Sequence, residues 1–174
     1  MQLSKYARIE IERRFLLAGV PDAAAVLAVH EIDDRYLDDT RIRLRRMTEA
    51  GGATQLKLTH KLPAPDGRGV QGALTTLYLS EAEHAALAAL PAAPLRKSRL
   101  SIAPYGVDVF HGPLAGLFLA EVEFATVEEA QALAPAAFCL AEVTADPRFT
   151  GGALAHAGGE EVRAWAREYG VDLG

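Results

Sequence analysis

The sequence predicts an α+β protein built on a largely antiparallel sheet of about eight strands, curved into a cup or barrel. Three observations predict this fold class. Apolar and charged side chains alternate along many short segments, as they do along strands. Short turns join most of these segments, which favours antiparallel pairing. The 174 residues contain no internal repeat, linker or low-complexity tract, so we expect one domain over residues 1–174.

The first half of the chain contains most of the predicted strands. Residues 6–16 alternate, so that Glu10, Glu12 and Arg14 share one face of the first strand. A short alanine-rich helix is predicted from Pro21 to about Val29. Further strands are predicted over residues 31–37, 40–46, 54–61 and 70–79.

The second half mixes helices with strands. Ser80 and Thr126 are predicted to cap helices that run to Leu90 and Leu133, because a hydroxyl can accept from the first free helix amides. Strands are predicted over residues 96–102, 106–111 and 116–124, with a short one over 138–144. The chain should end in an amphipathic helix at about residues 160–169, which places Trp165 on the apolar side.

Composition excludes several classes of protein. The net charge of -5 disfavours a general nucleic-acid binder. No apolar run is long enough to cross a bilayer, and the charged N-terminal residues do not resemble a signal peptide. Cys139 is the single cysteine, so it cannot form an internal disulfide and is expected to pack as a small apolar residue. We therefore expect a cytoplasmic protein without a nucleic-acid or membrane partner.

Charges of one sign recur on the same face of individual strands. These rows are Glu10 with Glu12, Arg41 with Arg43 and Arg45, Lys57 with Lys61, Lys97 with Arg99, and Glu121 with Glu123. In any one strand, such alternation also describes the solvated face of a sheet. Across the whole set, rows of like charge are unfavourable unless a ligand neutralises them. We expect the carboxylates to hold Mg²⁺ or Mn²⁺ and the cations to hold phosphate groups inside the cup.

Six ordered motifs resemble those of the CYTH domain, also called the triphosphate tunnel metalloenzyme superfamily. Glu10-Ile-Glu-Arg-Arg14 is similar to the family's Glu-x-Glu-x-Lys signature. The other matching segments are residues 41–45, 58–61, 97–99, 107–110 together with 119–124, and 142–149. The resemblance covers about residues 6–156, and the order of the motifs makes it specific.

The resemblance implies an eight-stranded antiparallel barrel, or tunnel, with helices packed outside and Mg²⁺ or Mn²⁺ inside. It implies a metal-dependent hydrolase of inorganic triphosphate or a related triphosphate compound. Its implied metal ligands are Glu10, Glu12, Glu121 and Glu123. Its implied phosphate contacts are Arg14, Arg41, Arg43, Lys61, Lys97, Arg99 and Arg148, and the cationic rows add Arg45 and Lys57. Arg14 and Tyr36 correspond to positions near the catalytic centre of family members.

Two departures from the family pattern leave alternatives open. Arg14 stands where the signature has lysine, and a guanidinium neither titrates nor fits like an ammonium group. Residues 72–79 contain no acid where the family carries a second Glu-x-Glu. A non-catalytic triphosphate- or polyphosphate-binding protein is therefore the alternative to a hydrolase. An adenylate cyclase ranks last among the activities, because nothing in the sequence indicates a nucleobase pocket. A homodimer is one possible oligomeric state.

Overall fold

A closed antiparallel barrel forms the body of the protein. The computed structural model describes residues 5–63 and 71–173, and within these ranges the chain forms nine strands and four α-helices. The strands are β1 (Arg8–Leu16), β2 (Ala28–Leu37), β3 (Ile42–Glu49), β4 (Thr54–Pro63), β5 (Gln71–Tyr78), β6 (Ala92–Ile102), β7 (Tyr105–Phe110), β8 (Phe118–Phe124) and β9 (Ala141–Glu142). The helices are α1 (Glu81–Ala88), α2 (Val127–Ala132), α3 (Gly151–His156) and α4 (Gly159–Glu168).

Eight of the strands close the barrel in the order β5-β4-β3-β2-β6-β7-β8-β1. The seam is the pairing of β1 with β5, which joins Arg8 to Leu74 and Ile11 to Gln71 at its two ends. The second half of β1 pairs instead with β9, through Phe15 and Leu16. All these ladders are antiparallel, so the predicted eight-stranded antiparallel barrel is confirmed. In this order β3 and β8 stand four strands apart in either direction, so they lie on opposite sides of the barrel.

The predicted helix over residues 21–29 is wrong. Only a single 3₁₀ turn forms there, Ala23–Ala25, with the Asp22 side chain accepting from Ala24 N. The strand β2 already begins at Ala28, which pairs with Ser101 of β6. Strand pairing therefore overrides the helical preference of the alanines, because intrinsic propensity is a weak term beside tertiary contacts.

The predicted helix caps are present. Ser80 and Glu83 form a reciprocal capping box at the start of α1. Thr126 accepts from Glu129 N at the start of α2. The C-terminal amphipathic helix is α4, one residue earlier than predicted. The short helix α3 was not predicted. In the described ranges, no helix has the length and apolar composition that crossing a bilayer requires.

Two apolar clusters position the helices against the barrel. The first packs the outer side of β1, β7 and β8 against residues that follow α2, and it includes Cys139. Burial raises the pKa of this thiol, in agreement with its predicted apolar role. The second joins Leu16, Leu119 and Phe110 to Leu154 of α3 and Val162 of α4. Because directly paired strand residues share a face, Leu16 and Leu119 lie on the same face as Arg14. The helices α3 and α4 therefore cover one end of the barrel.

Candidate functional site

The charged rows of neighbouring strands share one face of the sheet. Arg45 lies directly opposite both Asp34 and Lys57, and Arg43 lies opposite both Tyr36 and Thr59. This face is the barrel interior, because it makes contacts between strands that are not neighbours. Lys61 Nζ of β4 donates to Glu10 Oε2 of β1 at 2.9 Å, and Arg99 of β6 donates to Glu121 of β8. The like-charged rows predicted from the sequence therefore meet around one space.

Asp34 neutralises the first group of cations. Its carboxylate accepts from Arg45 Nε and Nη2, both at 2.7 Å, and its side chain has no exposed surface. Burial alone would raise the pKa of Asp34, but Arg45, with help from Arg43, holds that pKa below its ordinary value. This bidentate pair fixes the orientation of Arg45.

Asp108 neutralises a second group on the other side of β2. It accepts from Arg99 Nε and Nη2, both at 2.7 Å, and from Lys97 Nζ. Burial lowers the pKa of Lys97, and Asp108 opposes that shift. The sequence analysis did not place Asp34 or Asp108 in the site. Asp108 lies between Val107 and Val109, which was an available signal, but a single acid in such a strand is equally typical of a solvent-facing position. Asp34 lies between Asp33 and Arg35, so the alternation gave no signal there.

Two interior cations differ from these groups because no carboxylate of the described residues lies within hydrogen-bond distance of either. No carboxylate of the described residues lies within ion-pair distance of Lys57 Nζ, and burial, then Arg45 and Arg43, lower the pKa of this amine. Within the same described ranges, the buried Arg43 Nε has no hydrogen-bond partner, and its nearest carboxylate oxygen, on Asp34, is 3.8 Å away. Arg43 Nη2 donates to Thr59 Oγ1 at 3.5 Å, and this hydroxyl is 3.1 Å from Thr76 Oγ1. We call Arg43, Lys57, Thr59 and Thr76 the cationic patch.

The glutamates of β1 and β8 also face the interior, and β8 lies on the side opposite β3, which carries Arg43. Burial is the main cause that raises the pKa of Glu12 to about 7, and the negative charge of Glu121 adds to it while Lys61 opposes it. Burial would also raise the pKa of Glu121, but Arg99 and Lys97 hold it below its ordinary value. Glu10 contributes further repulsion to Glu12. We call Glu10, Glu12 and Glu121 the acidic patch, and Glu12 is its least neutralised member.

The structure separates Glu123 from the other three predicted metal ligands. Its side chain is 57% exposed and pairs with Arg8 at 3.1 Å, so it stands at the rim of the barrel. Among the described residues, no group of three or more His, Cys, Asp or Glu side chains forms a preassembled metal site. The metal role of the four glutamates stays a prediction.

Arg14 and Tyr36, the two predicted catalytic residues, both face inwards. Arg14 Nη1 donates to the Phe149 carbonyl at 2.7 Å, and its Nε lies 3.4 Å from Glu12 Oε1. The backbone amide of Arg14 donates to Thr144 Oγ1 at 2.9 Å. Burial, with a smaller contribution from Asp34, raises the pKa of Tyr36 to about 12. Its phenol is therefore a hydrogen-bond donor at neutral pH and not a base.

Two predicted phosphate contacts lie away from the patches. Arg41 is exposed and precedes β3, where its carbonyl accepts from Lys61 N. Arg148 donates to Asp146 and Glu168 at 2.8 and 2.7 Å, and its guanidinium lies over the Trp165 ring. Its described contacts are therefore with the C-terminal helix and the segment before it. Phosphate binding by these two arginines stays a prediction.

The acid-free strand β5 contributes different chemistry to the interior. Gly72 lies opposite Glu10, and Thr76 lies opposite Thr59, so the interior positions of β5 are Gly72, Leu74, Thr76 and Tyr78. The polar side chains at these positions carry hydroxyl groups and no charge. Lys57 Nζ lies over the Tyr78 ring, 5.4 Å from the ring centroid. Among the described residues, this face of β5 therefore offers hydroxyl groups and no carboxylate.

These features define a class of protein, a closed antiparallel barrel whose interior carries both a cationic patch and an acidic patch. No protein-family model matches the chain. It is 31% identical over 169 residues to an inorganic triphosphatase of Nitrosomonas europaea, over 84% of this chain and 96% of that protein. Two crystal structures of the protein NE1496, one of them described as an inorganic triphosphatase, each match with a TM-score of 0.56. Their sequences are 30% and 28% identical to this one. The first match covers 86% of this chain and 99% of the NE1496 chain, and the second covers 85% and 95%. The chain belongs to the CYTH, or triphosphate tunnel metalloenzyme, superfamily.

Proposed function

We propose that the protein is a metal-dependent hydrolase of inorganic triphosphate or a related triphosphate compound. The observation that carries this proposal is the separation of charge across the interior. Arg43 and Lys57 face it without a carboxylate at hydrogen-bond distance among the described residues, while Glu12 and Glu121 face it from β1 and β8. A triphosphate bound to a divalent metal offers a polyanion to the first patch and a cation to the second. The similarity to an inorganic triphosphatase supports the same substrate class.

The acidic patch fits a divalent cation. Glu12 and Glu121 repel each other, and a cation between them would remove that repulsion. Mg²⁺ commonly takes only one or two carboxylates and completes its coordination with water and phosphate oxygens, so a preassembled cluster of three acids is not required. We propose that Glu12 and Glu121, assisted by Glu10, hold Mg²⁺ or Mn²⁺. When bound, this metal would neutralise charge on the phosphate oxygens during hydrolysis.

The chain's own groups would bind and orient the triphosphate. Arg43 presents a planar guanidinium, which suits two phosphate oxygens at once, and Lys57 presents a single positive charge. Thr59 and Thr76 add hydroxyl donors beside Arg43. Tyr36, protonated at neutral pH, adds another donor opposite Arg43. These fixed donors would stabilise charge on the terminal phosphate when an ordered water attacks its phosphorus and the bond to the bridging oxygen breaks, which releases orthophosphate and leaves diphosphate.

The experiment is a substrate panel crossed with metals. Phosphate release from inorganic triphosphate, ATP and thiamine triphosphate is measured with Mg²⁺, with Mn²⁺ and with a chelator, on the wild-type protein and on Glu10→Ala and Glu12→Gln. We expect release only with a metal. Glu12→Gln should reduce it by more than the roughly 10–100-fold that the outer partner of a metal ligand contributes. Absence of turnover of every substrate with both metals would reject a hydrolase.

One observation favours a second candidate, a triphosphate-binding protein without catalysis. The interior positions of β5 carry no carboxylate that could hold a further metal or orient water. Calorimetry with inorganic triphosphate separates the two proposals, since tight binding without turnover would support the second. Cyclic AMP formation from ATP, measured in the same panel, would indicate a cyclase instead.

A further inference from the structure

The start of α3 lies directly against the phenol ring of Tyr36. A Cβ atom placed on Gly151 would stand 2.0 Å from Tyr36 Oη and 3.0 Å from Cζ. A Cβ on Gly152 would stand 3.7 Å from the ring carbon Cδ1, which is an ordinary contact. The side chain of any larger residue at position 151 would therefore overlap the Tyr36 hydroxyl.

Space, and not backbone conformation, explains the glycine at this position. Gly151 is the first residue of α3 and is not among the described glycines that adopt a positive φ. The contact with Tyr36 therefore gives a reason for glycine at this position.

The Tyr36 hydroxyl has a defined position relative to the cationic patch. Tyr36 lies opposite Arg43 in the ladder between β2 and β3, on the same face as Asp34. Its ring also packs against the apolar cluster at the end of the barrel that α3 and α4 cover. The ring is thus held between the α3 backbone on one side and the charged interior on the other.

We infer that Gly151 is a positioning residue for Tyr36. Because Gly151 has no side chain, the Tyr36 phenol can lie close against α3. This close contact determines the position of its hydroxyl beside Arg43. The consequence for hydrolysis rests on the proposed function, in which Tyr36 donates to the bound phosphates. The contact between Gly151 and Tyr36 does not depend on that function.

A double-mutant cycle tests the inference. Gly151→Ala should lower kcat for inorganic triphosphate by about tenfold, because small displacements of a positioned group have large effects on rate. Tyr36→Phe removes the hydroxyl that the new methyl group would meet. In the Tyr36→Phe background, Gly151→Ala should therefore change kcat by less than about twofold, since coupled residues are not additive. An equal loss in both backgrounds, or no loss in either, would overturn the inference.

Gly158→Ala is the matched control. A Cβ on Gly158 would meet no heavy atom within 4 Å, although Gly158 also stands at the start of a helix, as the N-cap of α4. This variant should keep the wild-type kcat and KM. Thermal melting of each variant checks that Gly151→Ala remains folded at the assay temperature.

Fluorine NMR provides a readout that does not need activity. In protein labelled with 3-fluorotyrosine, the Tyr36 resonance is the one that Tyr36→Phe removes. It should shift in Gly151→Ala and remain in place in Gly158→Ala. If the wild-type protein hydrolyses no triphosphate, the proposed function fails, while the fluorine shift still decides whether Gly151 positions Tyr36. An unchanged Tyr36 resonance in Gly151→Ala would overturn the inference.

Discussion

Two groups of cations share the barrel interior, and they differ in how their charge is balanced. Arg45 is held by Asp34, and Arg99 and Lys97 are held by Asp108, with both aspartates fully buried. Arg43 and Lys57 face the same interior without a carboxylate at hydrogen-bond distance among the described residues. Cations that are hydrogen-bonded to a buried carboxylate stabilise the folded barrel. Cations without such a bond remain available for an anionic ligand. Pairing, and not membership of a charged row, separates structural cations from candidate ligand contacts.

The largest expected effect comes from breaking the paired group. Asp108→Asn leaves Lys97 buried without its carboxylate and Arg99 with Glu121 alone, and removing one partner of a buried pair costs about 3–5 kcal/mol. Urea unfolding should show that loss in the absence of any ligand. Asp33→Asn is the control, because Asp33 pairs with Arg96 on the exposed outer face and should change stability by less than about 1 kcal/mol. Similar losses in both variants would contradict the structural role assigned to the buried carboxylate of Asp108.

A smaller effect, on binding and not on folding, is expected from the unpaired group. Lys57→Gln should weaken binding of inorganic triphosphate by roughly ten- to a hundredfold, since a hydrogen bond to a charged group contributes about 1.5–3 kcal/mol. The unfolding free energy should stay within about 0.5 kcal/mol of wild type, because no folded-state ion pair is lost. Isothermal calorimetry and urea unfolding measure the two quantities.

Arg96→Gln is the matched control for this variant. It removes one positive charge from the outer face, where Arg96 pairs with Asp33. Triphosphate binding should be almost unchanged. If Arg96→Gln weakened binding as much as Lys57→Gln, the affinity would reflect net charge and not the cationic patch.

The smallest effect is expected at a paired cation outside the barrel. Arg13 Nε and Nη2 donate to both oxygens of Glu142, at 2.9 and 2.6 Å, and this hydrogen bonding lowers the pKa of Glu142. A lowered carboxyl pKa stabilises the folded state above the ordinary value of 4.5, and the contribution is lost as the pH falls through the folded pKa. Wild type should exceed Glu142→Gln in unfolding free energy by less than about 1 kcal/mol at about pH 7, because Glu142 is partly exposed. The difference should shrink at about pH 3.

Urea unfolding of both proteins at the two pH values measures this dependence. Glu160→Gln serves as the control, since Glu160 pairs with Arg163 on the surface of α4. It should change the unfolding free energy by less than about 0.5 kcal/mol at either pH. A Glu142 difference that grew on acidification would contradict the assigned sign.

Much of the fold could be predicted because strand periodicity is a local property. Alternation placed Arg43 and Arg45, and Lys57 and Lys61, on common faces, and the ladders confirm those faces. The caps at Ser80 and Thr126 were predictable because they depend on a few neighbouring residues. The helix over residues 21–29 failed because the pairing of Ala28 with Ser101 is a long-range contact that alanine content does not reveal.

The site was harder to predict because periodicity indicates the face of a residue but not its depth or its partner. Glu12 and Glu123 were equivalent in the sequence, yet one is buried beside Arg14 and the other stands at the rim with Arg8. Asp34 and Asp108 meet Arg45 and Arg99 across the hairpins β2–β3 and β6–β7, only 11 and 9 residues away in the chain, but alternation alone does not give the register that brings these side chains together. The contact of Gly151 with Tyr36 likewise depends on a helix too short to leave a periodic signal.

The divided edge of β1 has a consequence for self-association. β5 pairs only with its first half, which on its own would leave the backbone of the second half open to another chain. Phe15 and Leu16 pair with β9 instead, Val143 N donates to the Arg14 carbonyl, and the Arg14 amide donates to Thr144 Oγ1. Unpaired strand edges are templates for aggregation. The two-residue strand β9 therefore occupies the edge of β1 that β5 leaves free, and this pairing protects the seam from amyloid-like pairing between copies.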